Sequence, residues 1–386
     1  MKLTLQDHID DFREAIGDDN YSESKIIRYL NKAQLDIARK LNIQIPFKRT
    51  LSTVAYQEEY TLPSNLRKIL HVRCENKTLS FYTKKQVEQL IEQERNTTGG
   101  TNYYWRFGNK LGLYYIPDDD AETTTLDGTL NATATSFDAA YTADFPDRGV
   151  VIIDSEVIYY TNLTHTGTTK TTFEGLSRGQ EGTKATTHSD GATVTWRDIE
   201  IFGYAYPARF INKPGQGSVS VTSGGNIEVG THIYKMTFYS TSLGIESLSY
   251  TIGSLTTTSG NQKANLTSLA VSTNEDIDYK RIYRTTESGN IYYFVKEITN
   301  ATTSTTDDAA DSTISSNDRL AEPSSELPEE WHEIITWGAL VRYFEDMEEI
   351  SRATYWRSKI IQELPEAIWE ETDKNISHYR QLPLPA

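Results

Sequence analysis

The segment Ile199-Glu-Ile-Phe-Gly-Tyr-Ala-Tyr-Pro207 decides how this chain is organised. Its residues alternate with the period of two that a half-buried strand requires. It stands between two stretches rich in Thr, Ser and Gly, 119–198 and 214–322, and belongs to neither. It reads as a core strand to which the chain returns from one insertion before leaving on the next. Such insertions are tolerated where their two ends lie close together on a surface loop. Asp118-Asp-Asp120 and Pro214-Gly-Gln-Gly217 are the punctuation expected at those exits.

Outside the two Thr-rich stretches the period changes. Ile26, Leu30, Ala33, Ile37 and Leu41 lay one apolar stripe along a helix from Ser22 to Leu41, with Ser22 as its N-cap. Thr83-Lys-Lys-Gln86 is a capping box, and Val87, Leu90 and Ile91 continue on one face. Tyr60-Thr-Leu-Pro63 and Lys68-Ile-Leu-His-Val72 are short β-like segments. Tyr103–Phe107 and Leu111–Ile116 flank Gly108-Asn109 as a hairpin. Near the other end, Pro328 takes a first helical position ahead of Glu329 and Glu330. Trp331, Ile334, Ile335 and Val341 continue that helix, and Gly338 would admit a close neighbour. A further helix carries Ala353, Trp356, Ile360 and Leu364 and ends at Pro365.

None of these stripes can be buried alone, so a small bundle assembled from both ends of the chain is expected. The fold class expected is α+β and multidomain: a discontinuous helical-bundle core with a β hairpin element, plus two inserted β-sandwich or β-rich domains. The core takes 1–118, 199–213 and 323–386, and the insertions are 119–198 and 214–322. In the first insertion Val151, Ile153, Val157 and Tyr159 are expected to alternate into its core around a turn at Asp154-Ser155. In the second, Tyr234–Tyr239, Arg281–Arg284 and Tyr292–Val295 are short strands separated by turns, as in a sandwich.

Composition narrows the function. The 386 residues exceed the usual size of one core, and 24 Tyr and 6 Trp supply apolar mass for several. A net charge of −16 keeps the chain as a whole from working by neutralising phosphates. It suits solubility, or a wall along which DNA slides without sticking. Cys74, alone, excludes an intramolecular disulfide framework and fits folding in a reducing cytoplasm. The N-terminal residues show no apolar run of a secretory signal, and no run approaches the roughly 20 residues needed to cross a bilayer.

Catalytic chemistry finds little support. Asp154 and Glu156 lie two apart on a strand and so point to the same face, yet a glycosidase pair must face across a cleft. Two exposed acids beside a turn fit better. Arg178, His188 and Asp190 read as a polar loop network held by glycines. Asp118–Asp120 and Asp307, Asp308 and Asp311 lack Ca²⁺-loop spacing and read as solvated junctions. The seven histidines are scattered, with no zinc pattern, and Cys74 reads as a small hydrophobe. No catalytic residue, cofactor or metal is expected.

The order of motifs carries a resemblance. Leu30-Asn-Lys-Ala33 to Leu41, Tyr60-Thr-Leu-Pro63, Gly112-Leu-Tyr-Tyr-Ile-Pro117 and the C-terminal helix pair resemble the head-to-tail adaptor (connector) proteins of tailed phages. Phe145–Tyr160 with Leu176–Ala185, His188 and Gly191 is similar to a β module of phage tail and neck proteins. The second insertion is similar in architecture to immunoglobulin-like or fibronectin-like modules, without their Cys…Trp…Cys pattern. The resemblance implies a structural virion protein of the neck, made in the host cytoplasm and not an enzyme. Its partners would be the portal, tail or nozzle proteins, and tail fibres. It would form a ring, by family precedent of twelve subunits, through whose lumen DNA passes without specific binding.

Two sets of residues are candidates for contact. Lys25, Arg28, Lys32 and Arg39, with Lys40 beside them, fall on the polar face of the Ser22–Leu41 helix. They form either a solvated face or a surface complementary to an acidic neighbour in a ring. Ile376, Tyr379, Leu382 and Leu384 are too apolar for a purely solvating tail and suggest an arm that orders against a neighbour or the portal. The competing reading is a tail-fibre or adhesion protein whose β-sandwiches bind carbohydrate or other tail proteins.

Overall fold

The computed structural model describes residues 2–93 and 100–363. In chain order the helices are α1 (Leu5–Ile16), α2 (Glu23–Lys40), α3 (Lys84–Gln93), α4 (Asp311–Ile314) and α5 (His332–Asp346), with a 3-10 turn at Glu329–Trp331. A further helical stretch covers 350–363. The first strands are β1 (Ile45–Leu51), β2 (Glu59–Thr61), β3 (Leu66–Cys74), β4 (Lys77–Thr78), β5 (Ser80–Phe81), β6 (Tyr103–Phe107) and β7 (Lys110–Tyr114). Next come β8 (Thr123–Asp127), β9 (Ser136–Ala140), β10 (Gly149–Ile153), β11 (Glu156–Tyr160), β12 (Asn162–Thr166), β13 (Lys170–Glu174), β14 (Ser177–Gln180) and β15 (Thr193–Trp196). After β16 (Ile199–Ala205) follow β17 (Ser218–Thr222), β18 (Gly230–Ser240), β19 (Ile245–Glu246), β20 (Tyr250–Thr257), β21 (Lys263–Thr267), β22 (Tyr279–Thr285), β23 (Tyr292–Thr299) and β24 (Thr305–Asp307).

The expected helical-bundle core is corrected by this arrangement. Among the described residues strands hold far more of the chain than helices do, so it is mostly β-sheet. It divides into two compact units, one of 1–45, 206–212 and the described part of 322–386, the other of 46–205 and 213–321. The hairpin β6–β7 belongs to the second unit, with the β-rich stretches, and not to the helices. The physical reason lies in residues 45–81. Their short, irregularly alternating runs hold little periodicity, yet they pair into two sheets.

In the helical unit, α1 begins at a Thr4–Asp7 capping box and stops at Gly17, whose left-handed φ of +72° closes the last turn. Leu5, Ile9 and Phe12 of α1, Ile26, Leu30 and Ala33 of α2, and Ile335, Leu340 and Phe344 of α5 are buried. Gly338 does admit a close neighbour: a Cβ there would lie 3.1 Å from the Ala33 Cβ. The segment 206–212 is held by Asn31, whose amide donates to the Phe210 carbonyl and accepts from the Phe210 N–H, both at 2.8 Å. Ser22 stands at the α2 N-cap position, but its hydroxyl turns to Ser24 at 3.0 Å and makes no cap bond. Pro328 precedes the 3-10 turn, so α5 opens four residues later, at His332.

In the second unit, β16 pairs with β3 in a four-stranded sheet of order β1-β16-β3-β4, and its burial alternates along its whole length. A second four-stranded sheet, β2-β7-β6-β5, carries the hairpin, while the Thr83–Gln86 capping box opens α3. Strands β8 to β15 form one eight-stranded antiparallel sheet around a core that includes Val151, Ile153, Ile158, Phe173 and Trp196. Strands β17 to β24 form a three-stranded and a five-stranded sheet, and Met236, Ile252, Leu266 and Ile282 fill the core between them.

Candidate interaction surfaces

Lys25, Arg28, Lys32 and Arg39 are all exposed on α2. Their spacing of three, four and seven keeps them within one narrow face, because two helical turns bring a residue back almost to its starting angle. Lys25, Arg28 and Arg39 lie over the rings of Tyr21, Tyr29 and Tyr206 at 5.7, 5.5 and 5.5 Å, which steadies the cations without neutralising them. Among the described residues no carboxylate pairs with any of the four. On the neighbouring face Asp36 is paired with Arg342.

The opposite sign appears on α1, where the sequence reading identified no element. Thr4, the Leu5-His8-Ile9-Phe12 spacing and Gly17 were the signals available for this helix. Its outer face bears Asp7, Asp10, Asp11 and Glu14, and Glu333 of α5 is exposed as well. Partial burial, then the charges of Asp7, Glu14, Glu333 and Asp10, push the Asp11 carboxyl above its ordinary value. Asp10 accepts a hydrogen bond from the Gln6 amide at 2.8 Å. No cation answers Asp10, Asp11, Glu14 or Glu333 among the described residues.

Between α2, α5 and the stretch 350–363 lies a groove of about 440 Å³ walled by Ala33, Ile37, Ile334, Val341, Ile360 and Ile361. The expected contact residues Ile376, Tyr379, Leu382 and Leu384 lie outside the described residues, as does the end of the last helix at Pro365.

The carboxylates of the first β-rich stretch behave differently from expectation. Asp154 and Ser155 form a two-residue turn, with Asp154 at a left-handed φ of +51°. The turn pairs Ile153 with Glu156 and Val151 with Ile158, so Glu156 shares the core face with them. Ile158 and Tyr160, rather than Val157 and Tyr159, therefore enter the main core. Glu156 is fully buried instead of exposed. The Arg178 guanidinium grips both of its oxygens at 2.7 and 2.8 Å, the Gly179 N–H donates at 2.9 Å, and His188 Nε2 lies at 2.8 Å. Burial opposes ionisation of Glu156, but the bonds from His188 and Arg178 outweigh it and hold the carboxyl below its ordinary value. His188 Nδ1 meets the exposed Asp154 at 2.7 Å, whereas Asp190 stands apart and accepts from the Gly128 N–H. Every acceptor of Glu156 is turned to a fixed donor, which makes a structural clamp.

Asp118, Asp119 and Asp120 are exposed, as solvated junctions should be. Asp307 and Asp311 are not. Asp307 is buried, accepts from the Tyr234 hydroxyl at 2.8 Å and pairs with Arg284 at 3.2 Å, and Asp311 pairs with the same guanidinium at 3.2 Å. Buried Cys74 has its thiol pushed upward, chiefly by burial, which suppresses the reactive thiolate. Among the described residues, no group of three or more His, Cys, Asp or Glu side chains is arranged to hold a metal ion. No described helix is long and apolar enough to cross a membrane.

A protein-family model described as SU10 adaptor protein matches residues 3–161. The match supports the adaptor resemblance for that part of the chain. It includes α1 and α2, and it runs past residue 118 through β8 to β11. No curated protein matches the chain.

Proposed function

We propose that the chain is a structural subunit of the phage neck: a head-to-tail adaptor that assembles as a ring between portal and tail. The observation that carries this reading is the SU10 adaptor match over residues 3–161, which spans both charged helices. Its mechanism is geometric. Copies bury contacts around a closed ring, twelve by family precedent, and DNA passes through the lumen without specific binding. The acidic balance of −16 supports such a passage, since it gives phosphates no general hold.

The Thr-rich stretches 119–198 and 214–322 are proposed as insertions carried by the adaptor and available to tail proteins or fibres. The basic face of α2, and the segment bearing Ile376, Tyr379, Leu382 and Leu384, are proposed as contacts to neighbours in the neck. Co-sedimentation of the purified chain with portal-bearing heads tests the reading. Saturable binding to heads that carry a portal, and none to heads that lack one, is the expected result. Equal binding to both, or to neither, contradicts it.

A further inference from the structure

The four cations of α2 and the carboxylates of α1 lie in the same helical unit, yet among the described residues no ion pair joins them within one copy. Both helices turn their apolar sides toward α5, through Ile26, Leu30 and Ala33 on one and Leu5, Ile9 and Phe12 on the other. Their charged faces are what remains outside. We propose that these faces are the two halves of one contact between copies: the Lys25, Arg28, Lys32 and Arg39 face of one chain docks on the Asp10, Asp11 and Glu14 face of the next. The inference rests on the ring reading and names the surfaces by which the ring closes.

Three observations support the pairing. The first is its sign. On a chain of net charge −16, most approaches of a second copy are repulsive, so a compact basic face selects one orientation. The second is the crowding on α1. Asp11 is partly buried and carries the repulsion of Asp7, Glu14, Glu333 and Asp10, and among the described residues no cation pairs with it. That repulsion is carried by the isolated copy and relieved when a cationic face arrives. The third is symmetry. A face that meets a different face makes a head-to-tail contact, which repeats into a ring when the rotation closes.

The test uses the full-length protein at ~0.1 M salt, where charges farther apart than about 10 Å are largely screened. Heavy-isotope and ordinary copies are mixed and treated with a carbodiimide, which joins a lysine to a carboxylate only where the two touch. Mixed-isotope links from Lys25 or Lys32 to Asp10, Asp11 or Glu14 are expected. The double variant Arg28→Glu with Arg39→Glu, and separately Asp10→Lys with Glu14→Lys, should each lower the yield of linked dimer at least tenfold. Mixing the two variants should restore it, because each now presents the charge that the other lacks. All these positions are exposed, so unchanged melting temperatures verify that the variants are folded. Absence of mixed-isotope links in the wild type, or no recovery on mixing, overturns the proposal. If rings still form on portal-bearing heads in that case, the adaptor reading stands and only this contact is wrong.

Discussion

Arg178 holds Glu156 by both carboxylate oxygens, at 2.7 and 2.8 Å, inside the eight-stranded sheet of the first β-rich stretch. Removing one partner of a buried pair costs far more than the pair contributes, because the other charge is left without solvent. Arg178→Met should destabilise the protein by about 3 kcal/mol, near the lower bound for such losses since His188 remains. Asp154→Asn, at the exposed rim of the same network, should cost under about 1 kcal/mol. Denaturant unfolding measures both. Equal losses would mean that burial of the clamp does not set its energy.

The same carboxylate predicts an acid limb. The folded state holds Glu156 below its ordinary value, so its contribution is fully present above about 4.5 and is lost as pH falls through the lower folded value. Stability measured from pH 6 to pH 2 should fall less steeply in Glu156→Gln than in the wild type. Parallel curves contradict the assignment.

Gly338 of α5 lies close against Ala33 of α2, so that a Cβ on the glycine would stand 3.1 Å from the alanine Cβ. Gly338→Leu should force the helices apart and cost about 1–3 kcal/mol, despite the better helix propensity of leucine. A neutral or stabilising effect in thermal unfolding would show that the two helices are not held at this distance.

Arg281 ties the two β-rich stretches together. Its guanidinium donates to Glu297 at 2.8 Å and to the Gly182 carbonyl at 3.0 Å, pairs with Glu246 at 3.2 Å, and lies 3.3 Å from the Tyr239 ring centroid. Arg281→Met leaves two acids short of their cation and should cost about 3–5 kcal/mol. Calorimetry should show the wild-type stretches 119–198 and 214–321 melting together and the variant separating into two transitions. A wild type that already melts in two steps would make the stretches independent.

Much of this was legible in the sequence. The Thr83–Gln86 capping box, the Gly108-Asn109 hairpin, the β16 alternation and the closeness at Gly338 all follow from local pattern, and local pattern is what a sequence displays. The balance between helix and sheet was less legible. Strands such as β4 and β5 are two residues long and show no period, whereas the helical stripes of α2 and α5 are long and regular. The burial of Glu156 and Asp307 was hidden for another reason. Each is neutralised by an arginine distant in sequence, 22 residues away for Arg178 and 23 for Arg284, and spacing cannot display such a partner. The α1 helix was legible too, through Thr4, the Leu5-Ile9-Phe12 stripe and Gly17, but its 12 residues are dense in Asp and Glu and read first as a polar stretch.

The segment beyond the described residues has a functional test of its own. Deleting residues 374–386 removes Ile376, Tyr379, Leu382 and Leu384 together. The melting temperature should be unchanged, while addition to portal-bearing heads is abolished. Normal addition of the truncated chain would remove these residues from the contact set.

Electron cryomicroscopy of portal-bearing heads incubated with the purified chain tests the adaptor assignment most directly. A closed ring of this chain seated on the portal, with an open lumen on its axis and the α2 and α1 faces opposed between neighbours, is the expected density. Portals that stay bare under saturating protein, or chains bound singly at the particle surface with no ring, would contradict it.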